Sequence, residues 1–162
     1  MKTVLIVLAF LLSSAAAVNL IRAFHFHTYF FQHNRVKVEE VQELRQVIQQ
    51  EIDHGGLGNC SLNDLNMNPI GPHPIGSFET CCNATSLHAG ISFFMQNHRK
   101  FSILLHPLTK QQLIDHTDRA FWMGLPQDLD LGNMTPILDE TPSCPVYRNG
   151  NASSMYEGGF VQ

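Results

Sequence analysis

Charged residues and long apolar runs are scarce in this chain of 162 residues. Charged residues make up 15% of the chain, and 10 Lys and Arg against 14 Asp and Glu give a formal net charge of −4. Without a run of basic residues, the chain lacks the electrostatic signature of a nucleic-acid binder or of a protein that adheres to anionic membranes. Beyond the N-terminal segment, no apolar run approaches the about 20 residues that span a bilayer. We therefore expect no nucleic-acid partner and no spanning helix in the main domain.

Motifs that assign common hydrolytic or nucleotide chemistry are also missing. The sequence contains no HExxH pair, no nucleophile elbow and no glycine-rich phosphate loop. The four cysteines are not spaced like the ligands of a zinc site. Histidine is the chemically versatile residue that remains, and its nine copies are many for this length.

The N-terminal segment has the pattern of a secretory signal. Lys2 precedes a short apolar run that ends near Leu12, and small residues follow, with Ala15-x-Ala17 at the position of a cleavage site. An uncleaved membrane anchor is the alternative, but polar residues interrupt the run before it reaches spanning length. We expect residues 1–17 to be a signal peptide, so that the mature protein is secreted and has no membrane association after cleavage.

The rest of the sequence fits an exported protein. Four glycosylation sequons begin at Asn59, Asn83, Asn133 and Asn151. The four cysteines, in an oxidising compartment, predict two disulfides with three possible connectivities. Cys81 and Cys82 are adjacent and point to opposite faces if their segment is a strand, so each is expected to pair with a distant cysteine.

Hydrophobic periodicity predicts an α+β domain over residues 18–132, followed by an irregular extension over 133–162. The predicted strands are residues 24–31, a weak one within 57–69, a third from Ser77 and a fourth from Phe101, and the predicted helices cover 38–52, 85–98 and 113–124, the last of them with a capping box from Thr109. This order favours a ferredoxin-like antiparallel sheet with helices on one face. A dimeric α/β barrel is a further possible arrangement.

The first strand, FHFHTYF, carries the candidate metal ligands. Residues two apart in a strand share a face, so His25, His27 and Tyr29 lie on one side and the phenylalanines on the other, where the helices pack. In the ferredoxin-like topology the fourth strand runs antiparallel beside the first, which places His106 near His25. Three imidazoles in this arrangement suit iron, zinc or copper and leave positions open for other ligands. The alternative is a set of polar residues on an exposed sheet face.

Three further residues are candidates for the same site. Glu79 on the third strand is an alternate ligand, which would give a two-histidine, one-carboxylate site, unless it is a solvated surface carboxylate. His73 lies between two prolines that stiffen its loop, so it is a candidate acid/base or an exposed turn residue. His116 has acidic neighbours that would raise its pKa, or it belongs to a polar helix face.

Together these segments resemble a known family. FHFHTYF, GPHPIGSFE, ILLHPLT and DHTDRAFWMGLPQDLDL occur in the order and spacing of the small fungal and bacterial DOPA 4,5-dioxygenases, and the resemblance covers about residues 24–131. It implies extradiol cleavage of DOPA or a related catechol by O₂ at non-haem Fe(II). The ligands would be His25, His27 and His106, the acid/base residues His73 and His116, and Tyr29 would bind substrate. The signal peptide, the sequons and the segment after Gly132 look like additions to the family pattern.

Two other functions remain compatible with the sequence. A secreted, non-catalytic glycoprotein of the same fold could bind a metal or a phenolic ligand, and a structural glycoprotein would need no site at all. Retention of all five motif histidines argues against the structural role. A homodimer is also predicted, because an open sheet face that bears histidines is often completed by a second subunit.

Overall fold

A computed structural model describes residues 20–148 and 151–153. The predicted signal peptide lies outside these residues. Within them, every helix is too short or too polar to cross a membrane.

A five-stranded antiparallel sheet organises the domain. Its strands are β1 (Ala23–Phe30), β2 (Cys60–Leu62), β3 (Gly76–Asn83), β4 (Ser102–Pro107) and β5 (Phe121–Met123), in the spatial order β2-β3-β1-β4-β5. The first four strands have the ferredoxin-like order, and all paired neighbours are antiparallel. The predicted α+β class and sheet are therefore confirmed.

Two long helices cover the phenylalanine face of the sheet. The helices are α1 (Arg35–Asp53), α2 (Leu87–Asn97) and the short α3 (Gln112–His116). Phe26 of β1 stacks on Phe94 of α2 with ring centroids 4.8 Å apart, and Leu44 and Ile48 of α1 complete the same core. Gly90 allows this approach, because a Cβ there would lie 2.9 Å from the Phe26 ring. The helices α1 and α2 leave the opposite, histidine-bearing face free for a site.

The register of the central strand sets the geometry of that face. In the two pairings of β1, His25 lies opposite His106 of β4 and opposite Cys81 of β3, while His27 lies opposite Glu79. Because side chains alternate along a strand, a slip of one residue would turn each of these groups into the phenylalanine core. The predicted proximity of His25 to the end of the fourth strand is confirmed.

The predicted third helix is largely wrong. Only residues 112–116 are helical, and Phe121–Met123 forms the edge strand β5 against β4. Aromatic residues favour strands, and Gly124, with φ +82°, ends the strand in a conformation that suits glycine. The capping box is also absent, because the helix starts after Gln111 without a side-chain cap. The Thr109 hydroxyl instead accepts a hydrogen bond from the Gln111 backbone N–H.

Both disulfides join distant parts of the chain, as predicted. Cys82 bonds Cys60 within the helix-covered core, and Cys81 bonds Cys144 on the histidine face. Adjacent cysteines in one strand thus form one disulfide on each face of the sheet.

The predicted irregular extension contains some regular structure. A single 3₁₀ turn covers Leu131–Asn133, and the chain from there to residue 145 has no helix or strand. Strands β6 (Val146–Arg148) and β7 (Asn151–Ser153) then pair antiparallel in a separate two-stranded sheet, which the sequence pattern did not predict.

Candidate metal centre

A cavity of about 460 Å³ opens on the histidine face of the sheet. Six of the seven predicted site residues line it: His25, His27, His73, Glu79, His106 and His116. The five histidines are all buried, so they do not form the exposed polar sheet face that was the alternative. The other four histidines lie outside this cavity: His33, His54 and His88 are exposed, and His98 is half-buried.

Hydrogen bonds fix the tautomers of two cavity histidines. The carbonyl oxygen of Pro107 accepts from His106 Nδ1–H at 2.8 Å, and that of Gln112 accepts from His116 Nδ1–H at 3.0 Å. A carbonyl can only accept, so each neutral ring carries its proton on Nδ1 and has a lone pair on Nε2. Rings held through Nδ1 in this way are typical of histidines that ligate metals through Nε2.

His25 has a carboxylate partner and one orphaned nitrogen. Its Nδ1 lies 3.1 Å from Glu79 Oε2, and Asn63 Nδ2 donates to the other Glu79 oxygen at 3.1 Å. Nε2 of His25 is fully buried and has no hydrogen-bond partner. An unsatisfied buried nitrogen costs about 1–3 kcal/mol, which a bound ion would offset. Glu79 is thus placed to orient His25, as carboxylates do behind metal-bound histidines.

The cavity holds two overlapping groups of potential ligands. His25, His27 and His106 form one triad, and His27, His73 and His116 form the other, with the potential ligand atoms of each triad within 4.8 Å of one another. His27 Nε2 and His106 Nε2 are 3.1 Å apart. Two nitrogen ligands at neighbouring coordination positions of one ion, each about 2.1 Å from it, are also about 3 Å apart. The spacing of the first triad, which is the predicted ligand set, is thus compatible with a metal ion.

The loop that carries His73 is rigid. His73 and Ile70 exchange both backbone hydrogen bonds, at 3.0 and 3.2 Å, and Gly71 between them has φ +55°. The Tyr29 hydroxyl lies 2.7 Å from His73 Nδ1. Tyr29 is buried and does not line the cavity, so its position is that of a partner for His73, whereas the sequence predicted a direct contact with substrate.

A polar network positions His116 at the end of α3. The buried Asp115 carboxylate accepts from the backbone N–H of Thr109 at 2.8 Å and from Arg119 at 2.8 Å. These bonds tie the helix to the end of β4, which brings the His116 ring to 3.9 Å from that of His106.

Burial keeps the cavity histidines neutral. It lowers the pKa of His25 to about 3, helped by repulsion from His116 and His73, and lowers the pKa of His73 to about 3, helped by His116. The pKa values of His27 and His106 are lowered for the same reasons. Neutral imidazole is the form that binds metals, so these shifts favour ligation at physiological pH.

The pKa of His116 is also lowered, contrary to the sequence prediction. Desolvation by burial outweighs both the hydrogen bond to Gln112 and the nearby Asp115 carboxylate, which raise it. Burial raises the pKa of Glu79 to about 7 and raises that of Tyr29 above its ordinary range.

One wall of the cavity was missed by the sequence interpretation. Leu138, Pro142 and Pro145, from the extension after β5, line the cavity together with the histidines. The signal that pointed to this wall was Cys144, because its disulfide to Cys81 brings the extension onto the histidine face. Cys81 also lies close to His25 and Glu79, but as a disulfide sulfur it is not a free ligand.

Comparison with known proteins gives consistent matches. The profile of the Dopa 4,5-dioxygenase family matches residues 24–133. DOPA 4,5-dioxygenase of Amanita muscaria is 34% identical over 85% of this chain and 60% of its own length. An uncharacterized 21.2 kDa protein of Botryotinia fuckeliana is 35% identical over 67% of this chain and 62% of its own length. The chain thus spans about three fifths of the length of these curated relatives.

A solved structure supports the fold. The crystal structure of a candidate dioxygenase from Nostoc punctiforme superimposes with a TM-score of 0.58 at 24% identity, covering 69% of this chain and 90% of that one.

Proposed function

The chain belongs to the Dopa 4,5-dioxygenase family, and on that premise we propose that it is an extradiol dioxygenase. Its substrates would be DOPA or a related catechol together with O₂. The observation that supports this most strongly is the convergence of five buried, neutral histidines on one cavity. A structural glycoprotein would gain nothing from burying these rings and leaving His25 Nε2 without a partner.

Iron(II) is the proposed metal, and His25, His27 and His106 would hold it. Imidazole ligation suits iron, and three protein ligands leave positions open for other groups. In that site a bound ion would supply a shared binding point for catecholate and O₂ and a positive charge for the anionic ring. Glu79 would accept a hydrogen bond from His25 Nδ1–H and keep that ring oriented, and the Pro107 carbonyl accepts the corresponding bond from His106 Nδ1–H. His106 Nε2 has only a lone pair, so the His27 Nε2 that lies 3.1 Å from it carries a proton and donates to it. For His27 to ligate through Nε2, that proton must move to Nδ1.

His73 and His116 are the proposed bases. Each ring is neutral and lines the cavity, so each can take a phenolic proton as the catechol binds. For His73 to act as a base at Nε2, its Nδ1–H must donate to the Tyr29 hydroxyl oxygen 2.7 Å away, which orients the ring and leaves the Nε2 lone pair for the substrate. Tyr29 is therefore a positioning residue in this proposal, and its own high pKa keeps the hydroxyl protonated.

Secretion and glycosylation belong to the same proposal. Two disulfides between described residues support an oxidising compartment. Asn59 and Asn133 are exposed, as glycan acceptors must be. Whether the protein forms a homodimer stays a prediction, for which light scattering on the purified protein is the test.

Oxygen consumption with a catechol tests the function. The full chain is loaded with Fe(II) without air, mixed with L-DOPA and then exposed to O₂, with an oxygen electrode and absorbance followed together. We expect one O₂ consumed for each molecule of yellow, ring-opened product. His27→Ala should reduce the rate by more than the about 10- to 100-fold typical of changes behind a metal ligand. The matched control is His88→Ala, at an exposed position on α2, which should retain activity.

The same assay separates the competing function. If the protein binds Fe(II) and a catechol but consumes no O₂ across a panel of catechols, the dioxygenase proposal is wrong. The secreted metal- or phenol-binding protein would then be the better interpretation.

A further inference from the structure

The extension after β5 forms a strap, residues 130–145, along one side of the cavity. Leu138, Pro142 and Pro145 of the strap line the same cavity as the histidines. The family match ends at residue 133, so it assigns no role to this wall. Three apolar side chains facing a cluster of imidazoles offer a surface against which an aromatic ring can pack.

Among the described residues, three hydrogen bonds join the strap to parts of the domain that are distant in sequence. The backbone N–H of Asp130 donates to the Pro72 carbonyl at 2.9 Å, in the loop that carries His73. The N–H of Leu138 donates to the Lys110 carbonyl at 2.7 Å, and the Lys110 ammonium bonds the Asp139 carbonyl. From Met134 to residue 145 the strap has no helix or strand to stabilise it.

The Cys81–Cys144 disulfide secures the far end of the strap. Cys81 lies fully buried on β3, opposite His25 in the strand register, and the bond closes a separation of 63 residues. Ala23, Cys81 and Leu108 form the small apolar cluster against which Cys144 packs. Cys144 is half-buried, whereas both cysteines of the other disulfide, Cys60 and Cys82, are buried.

We propose that the strap is the specificity-determining wall of the site and that the Cys81–Cys144 disulfide keeps it closed. The closed wall admits catechols with small ring substituents and excludes bulkier ones. A dithiol that attacks the Cys144 sulfur would break the S–S bond and leave two thiols, while the dithiol itself becomes a disulfide. Access to the site is then coupled to the redox state of its surroundings. The substrate selection rests on the proposed function, but the closure of the wall does not.

Histidine modification measures the closure without any reference to catalysis. The metal-free full chain is treated with diethyl pyrocarbonate, which attacks accessible neutral imidazoles, and the modification of His73 and His116 is followed by mass spectrometry. In the C81S/C144S variant we expect their modification to accelerate about tenfold or more, because a cross-link over 63 residues is lost. The exposed His54 and His88 are internal references whose rates should not change.

The second disulfide provides the matched control. The C60S/C82S variant loses a cross-link from the neighbouring position of the same strand, but on the core side of the sheet. Its cavity histidines should react at the wild-type rate. Equal rates in C81S/C144S and wild type would overturn the proposal, and so would equal acceleration in both double variants.

Two further arms keep the proposal testable. If C81S/C144S does not fold, Leu138→Ala is the deciding variant, because it removes most of one side chain of the wall and retains both disulfides. An unchanged rate of His73 and His116 modification in this variant overturns the proposal. The ratio of kcat/KM for a bulky catechol to that for unsubstituted catechol should rise in the opened variants, and an unchanged ratio contradicts the specificity role. If wild type shows no turnover, the dioxygenase proposal has failed, while the modification rates still test the wall.

Discussion

Acidification from pH 7 to pH 5 should destabilise the metal-free protein. The pKa values of His25 and His73 fall from an ordinary 6.5 to about 3 in the fold. Between pH 6.5 and 3 the unfolded chain therefore binds protons at these two positions that the folded chain does not. Stability falls as pH falls whenever the unfolded state binds more protons. The loss should thus begin near pH 6.5.

The size of the effect follows from the two shifts. At pH 5 each of these histidines disfavours the folded state by about 2 kcal/mol, since one pH unit corresponds to about 1.4 kcal/mol for a group that stays neutral. His25 and His73 together contribute about 4 kcal/mol. The lowered pKa values of His27, His106 and His116 add losses of the same sign.

Glu79 acts in the opposite direction. Its pKa rises from 4.5 to about 7 in the fold, so between pH 7 and pH 5 the folded state takes up a proton that the unfolded state does not. Acidification over this range therefore stabilises the fold by about 2 kcal/mol through this group. That offsets about one histidine, and the remaining histidines determine the sign.

Urea unfolding of the EDTA-treated protein at pH 7 and pH 5, followed by circular dichroism, measures this balance. We expect the free energy of unfolding to be lower at pH 5 by several kcal/mol, a large part of the about 5–15 kcal/mol typical of a domain. Glu79→Gln should show a steeper loss, because the opposing group is gone. The exposed His88→Gln should match wild type. Equal or greater stability at pH 5 would refute the reasoning and indicate that the cavity histidines accept protons in the folded state.

Two further substitutions test the site and the core. Glu79→Gln removes the carboxylate that lies beside His25 Nδ1. The affinity for Zn²⁺ or Co²⁺, measured in competition with a chelator, should therefore fall about 10- to 100-fold, whereas Glu43→Gln at an exposed position should leave it unchanged. An unchanged affinity in Glu79→Gln would contradict the orienting role, and a much larger loss would make Glu79 a direct ligand. Gly90→Ala places a methyl group 2.9 Å from the Phe26 ring. The overpacking cost of about 1–3 kcal/mol, less about 1 kcal/mol gained in helix propensity, should lower the free energy of unfolding by up to about 2 kcal/mol. Wild-type stability would show that the ring can move aside.

Periodicity predicted the parts of the fold in which one pattern dominates. The alternation in FHFHTYF separated the histidine face from the phenylalanine face, and the ferredoxin-like order then placed His106 beside His25. Both inferences depend only on side-chain alternation and strand order, which sequence reveals. Glu79 was placed correctly by the same logic, on the strand that flanks β1 on the other side.

The errors arose where local sequence does not determine the outcome. The segment that contains Phe121 and Trp122 has spacing compatible with a helix, but the free edge of β4 offered backbone partners, and tertiary pairing outweighed the local pattern. The pKa of His116 depended on how deeply the fold buries it, which its acidic neighbours in sequence do not reveal. Leu138 belongs to an irregular segment that the Cys81–Cys144 disulfide holds against the histidine face. Hydrophobic periodicity does not predict where an irregular segment lies, so the contact of Leu138 with the cavity was missed.

The register that joins His25 to His106 also has a kinetic consequence. The residues that would hold the ion come from strands about 80 positions apart in sequence, so the chain must close a long loop and pair β1 with β4 before the ligand set exists. In zinc fingers, by contrast, ligands a few residues apart can capture the metal early. An ion bound here would join a nearly finished sheet and would leave the folding rate almost unchanged. Its stabilisation would appear as slower unfolding, so that metal occupancy would set the lifetime of the native protein.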